Sequence, residues 1–214
     1  MEKNKLPIIY LSIDEEDMGS GVDTISFVEN PATEVSWMKF SKETKLTFQK
    51  DEAKRMVTGP VMLAETPIYR YSETIGEYFV KFSEETILSM MKKYFKDGKI
   101  NRVNEHHNSK RMVEGVRMVE SFIVGDRIKS ELYPDLPKGT WVATFFIEDE
   151  EYWNNTIMND EFGGFSLEGM FEENYEETIV EEVYSKIEGV INDNTLSEGE
   201  VLNKIESILE GKKH

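Results

Sequence analysis

Cysteine is absent from all 214 residues, and histidine occurs only three times, as His106, His107 and His214. Without thiols the chain forms no disulfides, Cys-ligated zinc or iron–sulfur centres, and has no thiol nucleophile. Such a composition fits a reducing compartment. Two further features are missing: a long apolar run at the N-terminus that could serve as a signal or membrane span, and a glycine-rich loop of the dinucleotide or P-loop type. Membrane and nucleotide partners are therefore not expected. Positive charge is scarce, with 25 Lys and Arg against 42 Asp and Glu and a formal net charge of −17. A surface of that sign repels phosphate backbones, so nucleic acid is not expected as a partner either.

What is present is enough for one core, with hydrophobic residues at 39%. Leu6 to Ile13 is an apolar, β-branched run that predicts a buried strand, ended by the acidic stretch Asp14 to Asp23. Extended chain is expected at Phe27 and Val28 ahead of Pro31. Short strands are predicted over Met38–Phe40, Lys45–Gln49, Arg55–Leu63 and Glu77–Phe82. Ser83 is a good N-cap, and Ile87, Leu88, Met91, Tyr94 and Phe95 mark a helical face that Gly98 closes. Strands are expected at Ile100–His107, Met112–Val124 and Thr140–Ile147, then a short acidic helix over Glu148–Met158 leading to a strand that carries Ser166. Beyond Phe171 the pattern becomes helical. Ile179, Val180, Val183, Ile187, Val190 and Ile191 form one stripe, and Val201, Leu202, Ile205, Ile208 and Leu209 another, with Ser197 and Glu200 as a capping box. From Glu172 onward there are twelve acidic and four basic residues. The expected division is a β-rich domain over 1–172 and an acidic, amphipathic helical tail over 173–214.

Chemistry-bearing residues are few. Ser166 lies in Gly163-Gly164-Phe165-Ser166-Leu167-Glu168-Gly169, where the glycines permit close backbone approach and Gly169 is expected to open space for a substrate. Glu168 breaks the G-x-S-x-G spacing of a nucleophile elbow, which removes an α/β-hydrolase reading. By composition alone the same stretch is also an ordinary turn entering a strand. His106 and His107 are adjacent, and on a strand they would face opposite sides, which disfavours a two-histidine metal site. No zinc or two-metal spacing is found, so neither metal nor cofactor is expected. A serine and a histidine are nonetheless the parts that a nucleophile and its base require.

Six segments in order, "ISFVENPA" from Ile25, "VTGPVMLAETPIYR" from Val57, "VNEHHN" from Val103, "VEGVRMVESFIV" from Val113, "GTWVATFFIEDEEYW" from Gly139 and "GFSLEG" from Gly164, resemble the XkdF-like serine proteases of tailed bacteriophages, relatives of the prohead proteases. The resemblance spans roughly residues 5 to 172. It implies an α+β, assemblin-like fold in which helices flank an antiparallel β-barrel. It also implies a serine endopeptidase that cleaves scaffold and major capsid precursors, and itself, within the assembling procapsid in the host cytoplasm, as a homo-oligomer. Ser166 corresponds to the nucleophile of Gly-Phe-Ser-x-x-Gly. The pattern V-[ND]-x-x-H-[ND] falls on Val103, Asn104, His107 and Asn108, making His107 the base and leaving His106 at a variable position. For the third group Glu120 comes first, on the expectation that its strand pairs with that of His107 and has an otherwise apolar face; Glu168, two residues from Ser166, comes second. An Asp-x-His-Gly-like segment of other members has no counterpart here, and the acidic tail lies outside the resemblance.

Overall fold

The computed structural model describes residues 6–29, 47–73, 76–175, 186–193 and 196–209. The predicted strand at Met38–Phe40, Asn30 and Pro31 at the end of the expected extended stretch, the start of the predicted Lys45–Gln49 strand, the first part of the tail stripe and His214 lie outside these residues. The protein is α+β, dominated by strands in open sheets. The strands are β1 (Ile8–Ser12), β2 (Gly21–Val28), β3 (Gln49–Asp51), β4 (Met56–Met62), β5 (Ile68–Ser72), β6 (Gly76–Phe82), β7 (Val103–Glu105), β8 (Asn108–Met112), β9 (Val116–Ile123), β10 (Trp141–Ile147), β11 (Gly164–Met170) and β12 (Glu172–Tyr175). The helices are α1 (Glu84–Lys96), α2 (Glu150–Tyr152, continued by a π turn over Trp153–Ile157), α3 (186–191) and α4 (Glu198–Leu209). No helix among the described residues is long and apolar enough to cross a membrane.

Two compact units emerge: one from residues 1–10, 67–81 and 173–214, the other from 11–66 and 82–172. The acidic C-terminal segment thus groups with two earlier pieces of chain. Its unit holds most of the sheet β12-β1-β6-β5, along with α3 and α4. The larger unit contains two four-stranded sheets, β3-β4-β10-β9 and β11-β2-β7-β8. Among the described residues the sheets stay open, and no closed barrel forms.

Alternation along the strands explains the larger unit's core. Phe27 of β2 and Phe165 of β11 are register partners and so point to one face. Phe145 of β10 meets both from the opposing sheet, with ring centroids 5.8 Å from Phe27 and 5.1 Å from Phe165. Phe48 and Phe162 complete the cluster at 6.2 and 6.0 Å from Phe27. Offset and edge contacts of this kind contribute beyond the burial of area alone. Helix α1 packs on β2 and β10 through Ile87, Met90 and Tyr94, all buried, and Tyr94 meets the Trp141 ring edge-on at 5.7 Å. Its boundaries follow the sequence: the Ser83 hydroxyl accepts from Thr86 N–H, and Gly98, at φ +67°, takes the left-handed conformation after the last turn.

Several predicted boundaries differ. Strand β2 begins at Gly21, inside the stretch expected to be loop, and is buried along nearly its whole length because both of its edges are paired. The strand predicted over 100–107 is only Val103–Glu105. There the chain turns back on itself, and His106 and His107, at φ +50° and +58°, form the two-residue connection to β8. Two consecutive positive φ values are the signature of a type I′ hairpin turn, whose local twist matches that of the flanking strands. Histidine is among the few non-glycine residues that enter this region with some frequency.

Candidate functional site

The site is built by register in the sheet β11-β2-β7-β8. Ser166 of β11 stands opposite Ser26 of β2 in the antiparallel ladder, and Ser26 stands opposite Asn104 of β7 in the parallel one. Since Phe27 and Phe165 take the core face, Ser26 and Ser166 take the other, with Glu168 beside them two residues further along β11. His107 joins this group from the hairpin turn, which is tied to β2 by His106 N–H donating to Phe27 O at 2.9 Å.

Four side chains converge. Glu168 Oε1 lies 3.4 Å from His107 Nδ1, accepts from Asn104 Nδ2 at 2.7 Å, and accepts a hydrogen bond from Ser26 Oγ. Ser26 Oγ lies 2.5 Å from Asn104 Oδ1 and 3.2 Å from His107 Nδ1. The group runs from buried to open: Ser26 and Asn104 are 0% and 1% exposed, whereas the side chains of Glu168 and His107 are 29% and 45% exposed. A buried polar floor therefore supports a solvent-facing acid and base. Both neighbours of Nδ1, Glu168 Oε1 and Ser26 Oγ, are oxygens able to accept from an Nδ1–H, the tautomer that would leave the Nε2 lone pair free.

Ser166 is 5% exposed and, among the described residues, makes no side-chain hydrogen bond. It is joined to the cluster through the register with Ser26. Glu120 is set apart from it. Strand β9 pairs with β10, in a different sheet from β7, and its ladder is bulged between Thr144 and Phe145. Glu120 is exposed, and its Oε2 accepts from Thr144 Oγ1 at 2.7 Å. The expected strand pairing and apolar face are thus not what is observed, and the carboxylate beside His107 is that of Glu168.

The flanking glycines have a different purpose from the one expected. A Cβ on Gly163 would lie 2.5 Å from Glu29 O, and one on Gly169 only 2.1 Å from Gly21 O. Both serve the close approach of β11 to the β2 backbone, not the approach of a substrate. His106 turns away from the cluster and packs on Phe162, ring centroids 5.0 Å apart. Next to the turn, Glu105 accepts from Tyr152 OH at 3.1 Å and pairs with Arg111 at 3.2 Å, tying the hairpin to α2. Burial, reinforced by the Glu105 carboxylate, pushes the Tyr152 phenol far above its ordinary value, so it stays a proton donor.

Ser26 was not singled out in the sequence, although a serine between Ile25 and Phe27 is a polar break in an apolar run. Among the described residues no group of three or more His, Cys, Asp or Glu side chains could hold a metal ion. Comparison with protein-family models, with curated proteins and with solved structures finds no match.

Proposed function

We propose that the protein is a serine endopeptidase of the phage head that cleaves scaffold and capsid precursors, and itself, during capsid maturation. The observation that carries this reading is the His107–Glu168 pair, 3.4 Å apart on the sheet face that also carries Ser166. The ordered set of prohead-protease-like segments supports it from the sequence. In the mechanism His107 Nε2 takes the Ser166 hydroxyl proton as Oγ attacks the scissile carbonyl. The imidazolium, stabilised by Glu168, then returns that proton to the leaving amine as the C–N bond breaks. Water, deprotonated by the same nitrogen, resolves the acyl-enzyme. An assemblin-like fold, homo-oligomerisation and action inside the procapsid in the host cytoplasm belong to this reading; the open sheets weigh against the closed barrel itself.

Intact mass of the wild type and of Ser166→Ala, each co-expressed with the capsid and scaffold precursors, tests it. Fragments present with the wild type and missing with the variant support the proposal, and identical masses overturn it.

A second reading is an assembly factor that keeps the protease fold without the chemistry. It is favoured by the burial of Ser166 and by its lack of a hydrogen-bond partner among the described residues. Reaction of the purified protein with a fluorophosphonate at Ser166 decides against it, because a passive scaffold has no activated hydroxyl.

A further inference from the structure

We infer that Ser26 and Asn104 are positioning residues that clamp the Glu168 carboxylate against His107 Nδ1, an inference that rests on the endopeptidase reading. A glutamate whose side chain is 29% exposed has several rotamers open to it and would spend much of its time in solvent. Here one oxygen accepts from Asn104 Nδ2 at 2.7 Å and from the Ser26 hydroxyl, whose single proton it shares with Asn104 Oδ1. Both holding groups are themselves fixed. They are 0% and 1% exposed and face each other across the β2–β7 ladder, so backbone pairing sets their positions.

Ser26 could be mistaken for the nucleophile, since its oxygen lies 3.2 Å from the imidazole. Two facts weigh against that role. It meets the same nitrogen, Nδ1, that faces the carboxylate, whereas a nucleophile must face the opposite one. It is also 0% exposed, against 5% for Ser166. Its placement suits a group that accepts from Nδ1–H while donating to Glu168, which extends the acceptor surface that fixes the tautomer. A buried polar pair can also exist only to satisfy itself, and such a pair would leave the imidazole unaffected.

The test is the tautomer of His107, read from its ring ¹⁵N shifts in the full-length protein above the imidazole titration, for wild type, Ser26→Ala, Ser26→Thr and Asn104→Ala. Wild type is expected to hold the proton on Nδ1. Ser26→Ala and Asn104→Ala are expected to shift population towards Nε2–H and to lower kcat for precursor cleavage by about ten- to a hundredfold, the equivalent of one lost hydrogen bond to a charged group, with KM little changed. Ser26→Thr, which keeps the hydroxyl, restores both. An unchanged tautomer in Ser26→Ala and Asn104→Ala overturns the clamp even if cleavage falls. A shifted tautomer in a protein whose wild type cleaves nothing supports the clamp and overturns the endopeptidase reading instead. Should Asn104→Ala fail to fold, Ser26→Ala, which removes one atom, carries the decision.

Discussion

Ser166 and Ser26 face each other directly across the β2–β11 ladder, yet of the two only Ser26 touches His107 and Glu168. One strand spacing separates a serine inside the hydrogen-bonded cluster from one beside it. Under the proposed reading the pairing divides the roles: the serine with partners holds the acid, and Ser166 is the nucleophile.

Exchange of the two candidate acids separates their roles. Under the proposed reading, Glu168→Gln removes the charge beside His107 and is expected to lower kcat by about a hundredfold or more, as loss of an orienting carboxylate does in serine hydrolases. Glu120→Gln keeps the acceptor for Thr144 and is expected to leave the rate within about twofold. Progress curves of precursor cleavage measure both, and equal losses would remove Glu168 from the mechanism.

Asparagine tolerates left-handed backbone, so replacing either turn histidine by it preserves the hairpin. His106→Asn should retain cleavage, since that ring packs on Phe162 and stands outside the cluster. His107→Asn should lower kcat by roughly a thousandfold or more through loss of the base. The opposite pattern would reassign the base to His106.

Gly169→Ala tests the strand approach with no chemistry involved. The added carbon would meet backbone 2.1 Å away, and a strand cannot yield as a flexible side chain does. The expected cost is about 2–3 kcal/mol, typical of overpacking, read as a lowered denaturation midpoint. A variant as stable as wild type would show that β11 can slide away from β2.

The capping box of α4 gives a pH dependence of known sign. Glu200 accepts from Ser197 N–H at 2.9 Å and from its hydroxyl at 2.6 Å, and these bonds hold its carboxyl below the ordinary glutamate range. A depressed folded value means that the contribution is complete above the unfolded pKa, about 4.3, and is lost as pH falls through the lower, folded one. Protection factors at Val201 and Leu202, in which the intrinsic exchange rate is divided out, should therefore fall below about pH 4 in the wild type. Glu200→Gln should flatten that dependence, and an identical profile in both would show that the cap does not govern the helix end.

Legibility from sequence followed the range of the forces involved. Helix α1 and strand β10 were readable because their caps and periodicity are local: Ser83, Gly98 and the run Trp141–Ile147 carry their own signals. Strand β8, Asn108–Met112, is exposed throughout and has no apolar alternation to reveal it. The His-His turn lacks the Asn-Gly signature of its class. The site divides in the same way. Glu168 could be placed near Ser166 by counting along one strand. That Ser26 and Asn104 stand beneath it depends on the parallel pairing of β2 with β7, which no local pattern encodes. Glu120 ranked first for want of that pairing.

The same pairing sets when the machinery can exist. Ser26 lies 78 residues before Asn104 and 142 before Glu168, so each contact closes a long loop whose entropy must be met first. The parallel ladder is the slow kind of closure, and the acid arrives on a strand near the far end of the larger unit. Until β11 pairs with β2, His107 therefore stands without both Glu168 and Ser166 beside it. Assembly of the four-residue cluster is thus a property of completed folding, and under the proposed endopeptidase reading cutting begins only once that folding is complete.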